Sequence, residues 1–203
     1  MRALIRRFDA LLSRAYGVFP FCDDRDCVLR LQIVRTRRPL CFAGQEVRTG
    51  EPVLVLHLWN EQIPPLSPAG PDLAWAAQIR RLFLHSLRAV AGQMRCDPRL
   101  AGVRAVGGAT TLLSFGDHPG GRRFLERLGF TILPYHSPLG RFGEFWENLY
   151  AWSIMWTFNV ASLRYRQLFH LRRAELWMPA EEFMSRYGAT HPSPPPRAGS
   201  AGA

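Results

Sequence analysis

Two apolar patterns in the first third of the chain predict strands. From Val28 to Thr36 apolar and polar residues alternate, which is typical of a strand with one covered face. From Val53 to Trp59 the run is almost continuously apolar, which predicts an interior strand covered on both faces. Strand alternation places His57 on the same face as Val53 and Val55, inside the layered structure.

A short apolar run from Leu40 to Phe42 lies between these two predicted strands. The segments Ala43-Gly44-Gln45 and Thr49-Gly50, on either side of Val47, are turn signals. Because consecutive strands joined by such short turns pair with each other, the pattern predicts an antiparallel meander.

The middle of the chain combines helical and extended patterns. A helix is predicted from Leu73 to about Met94, with Asp72 as its N-cap, because helical periodicity begins directly after that residue. The segment from Val103 to Phe115 is predicted to form one strand bent at its glycine pair, or two short strands. A helix capped by Asp117 is predicted to end at Gly129. Further strands are predicted at 130–133 and 175–178, before a last helical turn at 179–182.

The segment from Phe142 to about Leu171 has a helical pattern rich in aromatic residues. It carries no charge between Glu147 and Arg164, but this interval is shorter than the about 20 apolar residues of a membrane-spanning helix. Two interpretations remain open. The helix is buried against the sheet, which all-round hydrophobicity favours, or one of its faces meets a membrane or a partner.

Residues 1–20 have the pattern of an amphipathic basic helix, with an apolar stripe and Arg residues largely opposite it. If this helix lies on a membrane, its membrane-facing residues are Arg2, Arg6, Arg7, Phe8 and Leu11. The alternative is burial of the stripe on the domain's own core, which is the commoner arrangement for such helices.

Together these patterns predict a single α+β domain, with a mostly antiparallel sheet, two packed helices and an N-terminal amphipathic helix. The predicted boundaries are 1–20 for that helix, 21–188 for the α+β domain and 189–203 for a disordered tail of low complexity. A chain of 203 residues, 47% of them hydrophobic, is large enough to bury a core of its own.

The charge balance is strongly basic. All 26 basic residues are Arg, against 16 acidic residues, so the formal net charge is +10. This charge favours anionic partners such as phospholipid headgroups, nucleic acid or phosphorylated substrates, although a basic surface without a dedicated partner is the simplest alternative. Arg residues interrupt every apolar run near the N-terminus, so no signal peptide is visible, and we expect a cytoplasmic protein that is peripheral if it binds the inner membrane.

The four cysteines are irregularly spaced without a CxxC pair, and the six histidines form no HxH or HExxH pattern. We therefore expect free thiols, no metal and no cofactor. The sequence also lacks P-loop, GxGxxG and GxSxG motifs, which disfavours a covalent hydrolase. Whether the protein is an enzyme stays open at this point.

The main candidate for catalysis is the end of the second strand, where His57, Asn60 and Glu61 occur together. His57 and Glu61 have the types of a general base and its orienting partner, and Glu61 is equally suited to be the base. The alternative is a core histidine with an ordinary hydrogen bond and a glutamate on a loop.

A second candidate site is the start of the helix that follows Asp117. The backbone N–H groups of Gly120 and Gly121, together with the side chains of Arg122 and Arg123, are suited to bind a phosphate. Asp117 as N-cap competes for the same positive end of the helix, so an ordinary capped helix is the alternative.

The segment GRRFLERLGF followed by TILPY resembles the last helix and strand of the GCN5-related acyltransferases. This resemblance covers a short part of the chain and implies acyl transfer. The Arg/Gln-x-x-Gly-x-Gly/Ala loop that holds the coenzyme A pyrophosphate in that family is missing after the preceding strand. The aromatic helix after Phe142 also has no place in that family's pattern.

A longer resemblance, over roughly residues 27–188, is to the YkoP-like domain family. It rests on the order of segments such as RLQIVRTRR and RFLERLGF, and most specifically on LHLWNEQIP and AELWMPAEEF. Members are small bacterial domains that occur alone or attached to polysaccharide deacetylases. The resemblance implies an accessory role in envelope polysaccharide or glycolipid metabolism at the cytoplasmic membrane surface, with envelope glycan or lipid enzymes as partners. Acyl transfer is the alternative, and nucleic-acid binding, which rests on charge alone, ranks third.

Overall fold

The structure, a computed structural model, describes residues 2–67, 69–111, 120–135, 137, 140–165 and 173–188. The helices in this part of the chain are α1 (Arg2–Ala15), α2 (Leu73–Cys96), α3 (Gly120–Arg127), α4 (Gly140–Phe158) and α5 (Ala180–Tyr187). The strands are β1 (Leu29–Arg35), β2 (Leu40–Phe42), β3 (Gln45–Val47), β4 (Pro52–Leu58), β5 (Ala105–Thr110), β6 (Thr131–Pro134) and β7 (Ala174–Pro179).

Five strands form the main sheet in the order β1-β4-β5-β7-β6. β4 pairs antiparallel with β1 along its whole length and parallel with β5 on its other side, and β7 pairs antiparallel with both β5 and β6. The prediction of an α+β fold with a mostly antiparallel sheet is confirmed. The predicted strand Val53–Trp59 is an interior strand, because β1 and β5 flank it.

The first face of the sheet carries the larger core. Leu31 of β1 and Leu54 of β4 have no exposed surface and pack with Leu87 of α2 and Phe183 of α5. Burying each of these side chains stabilises the fold by about 1.5–3 kcal/mol. The Ser86 hydroxyl, buried in this core, accepts the Val28 backbone N–H at 2.9 Å and donates to the Leu82 carbonyl, which ties α2 to the start of β1.

The second face of the sheet carries a smaller core under a hairpin. β2 and β3 pair only with each other, through a turn in which Ala43 and Gly44 both have positive φ, the conformation of a type I′ hairpin. Leu40 and Phe42 of this hairpin pack on Val53 and Trp177. The predicted meander is therefore wrong: β1 and β4 pair directly, and β2–β3 is an insertion that folds over the sheet.

The aromatic helix ends earlier than the sequence pattern predicts. α4 stops at Phe158, and a 3-10 helix follows from Val160 to Tyr165. Asn159 accounts for the break: its side-chain oxygen accepts the Leu66 backbone N–H at 3.3 Å, and its carbonyl accepts both the N–H and the hydroxyl of Ser162. The predicted continuation beyond residue 165 lies outside the described residues until 173.

Other local predictions can be compared directly with the structure. Asp72 is the N-cap of α2, accepting the Trp75 N–H at 2.7 Å, and Gly129 ends α3 with a positive φ, both as predicted. β5 pairs with β7 residue by residue across its glycine pair, and Gly107 is required for the close approach of the strands, since a Cβ there would lie 1.9 Å from the Leu176 carbonyl oxygen. The Asp117 cap and the predicted tail at 189–203 lie outside the described residues.

Candidate functional site

Five polar side chains lie between the second face of the sheet and helices α1 and α4, and we call them the polar layer. They are Asp9 of α1, Arg30 and Gln32 of β1, His57 of β4 and Tyr150 of α4. Strand alternation brings three of them there, because Arg30 and His57 are opposite each other in the register and their neighbours Leu29, Leu31, Leu56 and Leu58 pack in the first core.

Asp9 joins the two helices to the sheet. Its carboxylate lies 3.5 Å from the Arg30 guanidinium and accepts a hydrogen bond from the Tyr150 hydroxyl. The Arg30 and Asp9 side chains are only 14% and 12% exposed, so the charges neutralise each other away from solvent. Arg30 also donates to the Ser13 hydroxyl, one turn further along α1. Removing one member of such a buried pair typically costs about 3–5 kcal/mol, because the other charge is left without a partner.

The polar layer shifts two proton equilibria. Burial, and then the positive charge of Arg30, lower the pKa of His57 to about 4, and Asp9 opposes this shift only in part. His57 is therefore neutral near pH 7. Its Nε2 lies 2.9 Å from Gln32 Oε1, so Nε2 carries the proton in this arrangement. Burial and the hydrogen bond to Asp9 raise the pKa of Tyr150, which keeps its hydroxyl protonated.

The structure gives His57 and Glu61 different partners. Residues 60–62 form a single 3-10 turn directly after β4, and the Trp59 indole N–H donates to Glu61 Oε2 at 3.3 Å. Glu61 is exposed, while Asn60 is half-buried and its amide lies 3.5 Å from the Leu58 carbonyl oxygen. With Gln32 as its partner and a low pKa, His57 is a weak base near neutrality.

One of the anion-binding residues predicted at the start of α3 already has an acidic partner. Arg122 Nε lies 2.8 Å from Glu126 Oε1, one turn along the helix, and both side chains are exposed. Arg123 is exposed as well. Gly120 and Gly121 begin the helix, as the prediction requires, so phosphate binding there stays a prediction.

A second polar cluster lies between α4 and the segment after β6. Glu147 accepts hydrogen bonds from Tyr135 at 2.8 Å and Ser137 at 3.1 Å, and Arg173 lies 3.7 Å from the same carboxylate. Arg173 also donates to Asn148 at 3.1 Å, and its burial lowers its pKa. Sequence reasoning missed this cluster, because these residues come from separate segments that only the fold brings together.

Asp9, Arg30 and Tyr150 were also missed as site residues. The available signal was weak: Ile5, Asp9 and Leu12 share one side of α1 by helical spacing, and an acidic residue in that series is unusual for a buried side. Within the described residues, no group of three His, Cys, Asp or Glu side chains is placed to hold a metal ion.

The outward side of α1 is apolar. Leu4, Phe8 and Leu11 follow the spacing of one helix stripe and are 69%, 53% and 64% exposed. The favoured expectation that the apolar stripe packs on the domain's own core holds only in part: Ile5 and Leu12 are half-buried, while Leu4, Phe8 and Leu11 are exposed. Arg2 and Arg6 lie over the rings of Trp156 and Phe158, at 5.3 and 5.2 Å from the ring centroids.

Arg7 and Arg14 are exposed on α1, and their spacing puts them beside the apolar stripe.

None of the helices in the described residues combines the length and apolar character needed to cross a bilayer.

The low pKa of His57 predicts a pH-dependent stability. In the unfolded chain His57 has its ordinary pKa of 6.5, so between about pH 6.5 and 4 the unfolded state binds more protons than the folded state. The free energy of unfolding therefore falls as the pH falls through this window, by up to about 1.4 kcal/mol per pH unit. Urea unfolding of His57→Gln should have a flatter pH dependence than the wild type. His85→Gln, a change at a more exposed histidine, is the control, and equal slopes for wild type and His57→Gln would refute the argument.

Comparison with known proteins agrees with the longer of the two sequence resemblances. A family model described as the YkoP domain matches residues 3–187, from the start of α1 to the last residue of α5. No curated protein and no solved structure matches the chain. The matched range covers α1 and all strands of the main sheet. The chain therefore belongs to the YkoP domain family.

Proposed function

We propose that this protein docks on anionic membrane surfaces through α1 and acts there as an accessory to envelope polysaccharide or glycolipid metabolism. The observation that carries the proposal is the outward apolar stripe of Leu4, Phe8 and Leu11 on a basic helix. A helix lying in the membrane interface needs such a stripe together with positive charges at its border.

The charge of α1 supports an anionic lipid surface. Arg2, Arg6, Arg7 and Arg14 are all exposed, and the one acidic residue of the helix, Asp9, is turned inward and paired. Arg2 and Arg6 lie over rings of α4, so Arg7 and Arg14 supply the positive charge beside the apolar stripe. Each Arg near an anionic lipid surface contributes about 1 kcal/mol to binding, and the net charge of +10 adds a longer-range attraction.

The envelope part of the proposal rests on the family. The match over residues 3–187 makes this chain a member, and the resemblance described above implies that such domains also occur attached to polysaccharide deacetylases. A membrane-docked domain of this kind would bring envelope glycan or lipid enzymes to the surface where their substrates are assembled.

The membrane proposal predicts the behaviour of two α1 variants in sedimentation with vesicles of phosphatidylglycerol and phosphatidylcholine at low salt. Phe8→Ser/Leu11→Ser should bind at least about tenfold more weakly, because it removes most of the insertable apolar surface. Arg7→Glu/Arg14→Glu should lose a similar factor, and added salt should weaken the wild type.

The matched controls for these variants lie on α2. Arg80→Glu/Arg95→Glu makes the same change in net charge, and Leu73→Ser removes a side chain that is 90% exposed. Both should lose less than about threefold. If the α1 variants sediment like the wild type, the helix is not the docking element. If the wild type stays in the supernatant, the membrane function itself is wrong.

Acyl transfer is the second candidate, and one observation favours it. β4 and β5 are parallel strands connected by α2. Their pairing stops at Val55 and Gly107, and each strand continues for three more residues without pairing to the other. Ligands of open sheets bind in crevices at the carboxyl ends of parallel strands. His57 lies at that end of β4, and Asn60 follows it.

The acyl-transfer candidate predicts that the protein binds acetyl-coenzyme A in a calorimetric titration, with a Kd below about 1 mM. Desulfo-coenzyme A and free ADP are suitable comparison ligands, since binding of ADP alone would indicate an unspecific anion site on this basic protein. The absence of heat with acetyl-coenzyme A at high protein concentration would remove this candidate.

A further inference from the structure

The first half of α4 carries three aromatic side chains with large exposed fractions. Phe142, Phe145 and Trp146 are 68%, 42% and 53% exposed. Their rings contact one another, with centroids 6.2 Å apart for Phe142 and Trp146 and 5.4 Å apart for Phe145 and Trp146. We call these three residues the aromatic cluster. The favoured expectation of a buried aromatic helix is wrong for this half of α4, while Ile154 in the other half is buried.

The aromatic cluster is continuous with the outward side of α1. Phe142, Trp146 and Tyr150 are spaced four residues apart, so they follow one another along α4. The Tyr150 ring in turn meets Phe8 edge to face, with centroids 6.4 Å apart. The apolar surface therefore runs from the start of α4 over Tyr150 to the stripe of α1.

We propose that the aromatic cluster is a second bilayer-inserting element, so that α1 and α4 dock together on an anionic membrane. This inference rests on the membrane docking proposed above, and it names the residues through which one face of the aromatic helix would meet the membrane. Two points of insertion fix the orientation of the domain, because rotation about α1 would lift the cluster out of the bilayer.

The chemistry of the cluster favours a bilayer as its occupant. Trp and Phe side chains are suited to the membrane interface, where a ring enters the acyl region and the indole N–H stays near the headgroups. The acidic residues of this half of α4 do not oppose such docking. Glu144 lies on the opposite side of the helix by its spacing from Phe142 and Trp146, and Glu147 is turned inward to Tyr135 and Arg173. The exposed Arg7 and Arg14 supply positive charge at the border of the joined surface.

If the aromatic cluster inserts into the bilayer, its contribution to vesicle binding should persist at high salt. Attraction by the Arg residues is screened at high ionic strength, whereas insertion of apolar side chains is not. The variant Phe142→Ser/Trp146→Ser should bind phosphatidylglycerol vesicles about tenfold more weakly than the wild type at about 0.5 M NaCl, with a smaller loss at about 0.05 M. Both side chains are largely exposed, so the variant should keep the wild-type circular dichroism and melting temperature. Leu73→Ser is again the matched control.

A second measurement locates Trp146 directly. Vesicles containing lipids brominated along the acyl chain quench tryptophan only where it enters the bilayer. The wild type should be quenched, and Trp146→Phe should bind equally well but lose most of the quenching, because the replacement keeps an apolar ring without the reporter.

Three other results would contradict the proposed docking by α1 and the aromatic cluster, each in a different part. If Phe142→Ser/Trp146→Ser binds like the wild type while Phe8→Ser/Leu11→Ser does not, α1 docks alone and the aromatic cluster has no role in it. If the wild type is a dimer without lipid and Phe142→Ser/Trp146→Ser is a monomer, the cluster is an interface between two copies of this chain. If neither salt condition gives wild-type binding, both the inference and the membrane function fail together.

Discussion

The orientation of α1 depends on one buried ion pair with a shared hydroxyl. Asp9 of α1 meets Arg30 of β1 and Tyr150 of α4 in a place where solvent barely reaches any of the charges. A buried pair of this kind contributes little net stability, since the loss of hydration offsets most of the attraction. What it does determine is orientation. Any rotation of α1 that exposes Asp9 leaves Arg30 buried without its counter-charge, so only one side of the helix can face the sheet.

The orientation of α1 decides the character of the surface. With Asp9, Ser13 and the half-buried Ile5 and Leu12 turned inward, the 3.6-residue period turns Leu4, Phe8 and Leu11 outward. The helix is thus bound by its polar side and presents its apolar side. Tyr150 adds α4 to the same arrangement, because it bonds to Asp9 and touches Phe8 at once. The membrane surface that we propose is a consequence of this polar attachment, and the neutral state of His57 belongs to the same desolvated layer.

Sequence patterns were sufficient where a residue's immediate neighbours determine its structure. The alternation around Leu54, the Asp72 cap and the Gly129 helix end depend on local periodicity and backbone geometry, and each is found as predicted. The sequence patterns gave wrong predictions where contacts with residues distant in the sequence determine strand pairing or the end of a helix. The β2–β3 hairpin pairs with itself because β1 and β4 pair across it, and α4 breaks at Asn159 because of a bond to Leu66. In the candidate site, the position of His57 followed from strand alternation, but its partner Gln32 and the role of Asp9 came from strand pairing and helix docking.

The most direct test of the central claim is amide hydrogen exchange of the protein alone, with and without the Asp9→Ala substitution. If Asp9 holds α1 against Arg30 and Tyr150, the backbone amides of α1 beyond its first turn are protected in the wild type. In the variant they exchange much faster, while β4 and β7 keep their protection because the cores on the two faces of the sheet do not depend on α1. Asp24→Ala, which removes a surface carboxylate paired with His85, should leave α1 unchanged. Equal protection of residues 2–15 in the wild type and in Asp9→Ala would contradict the account.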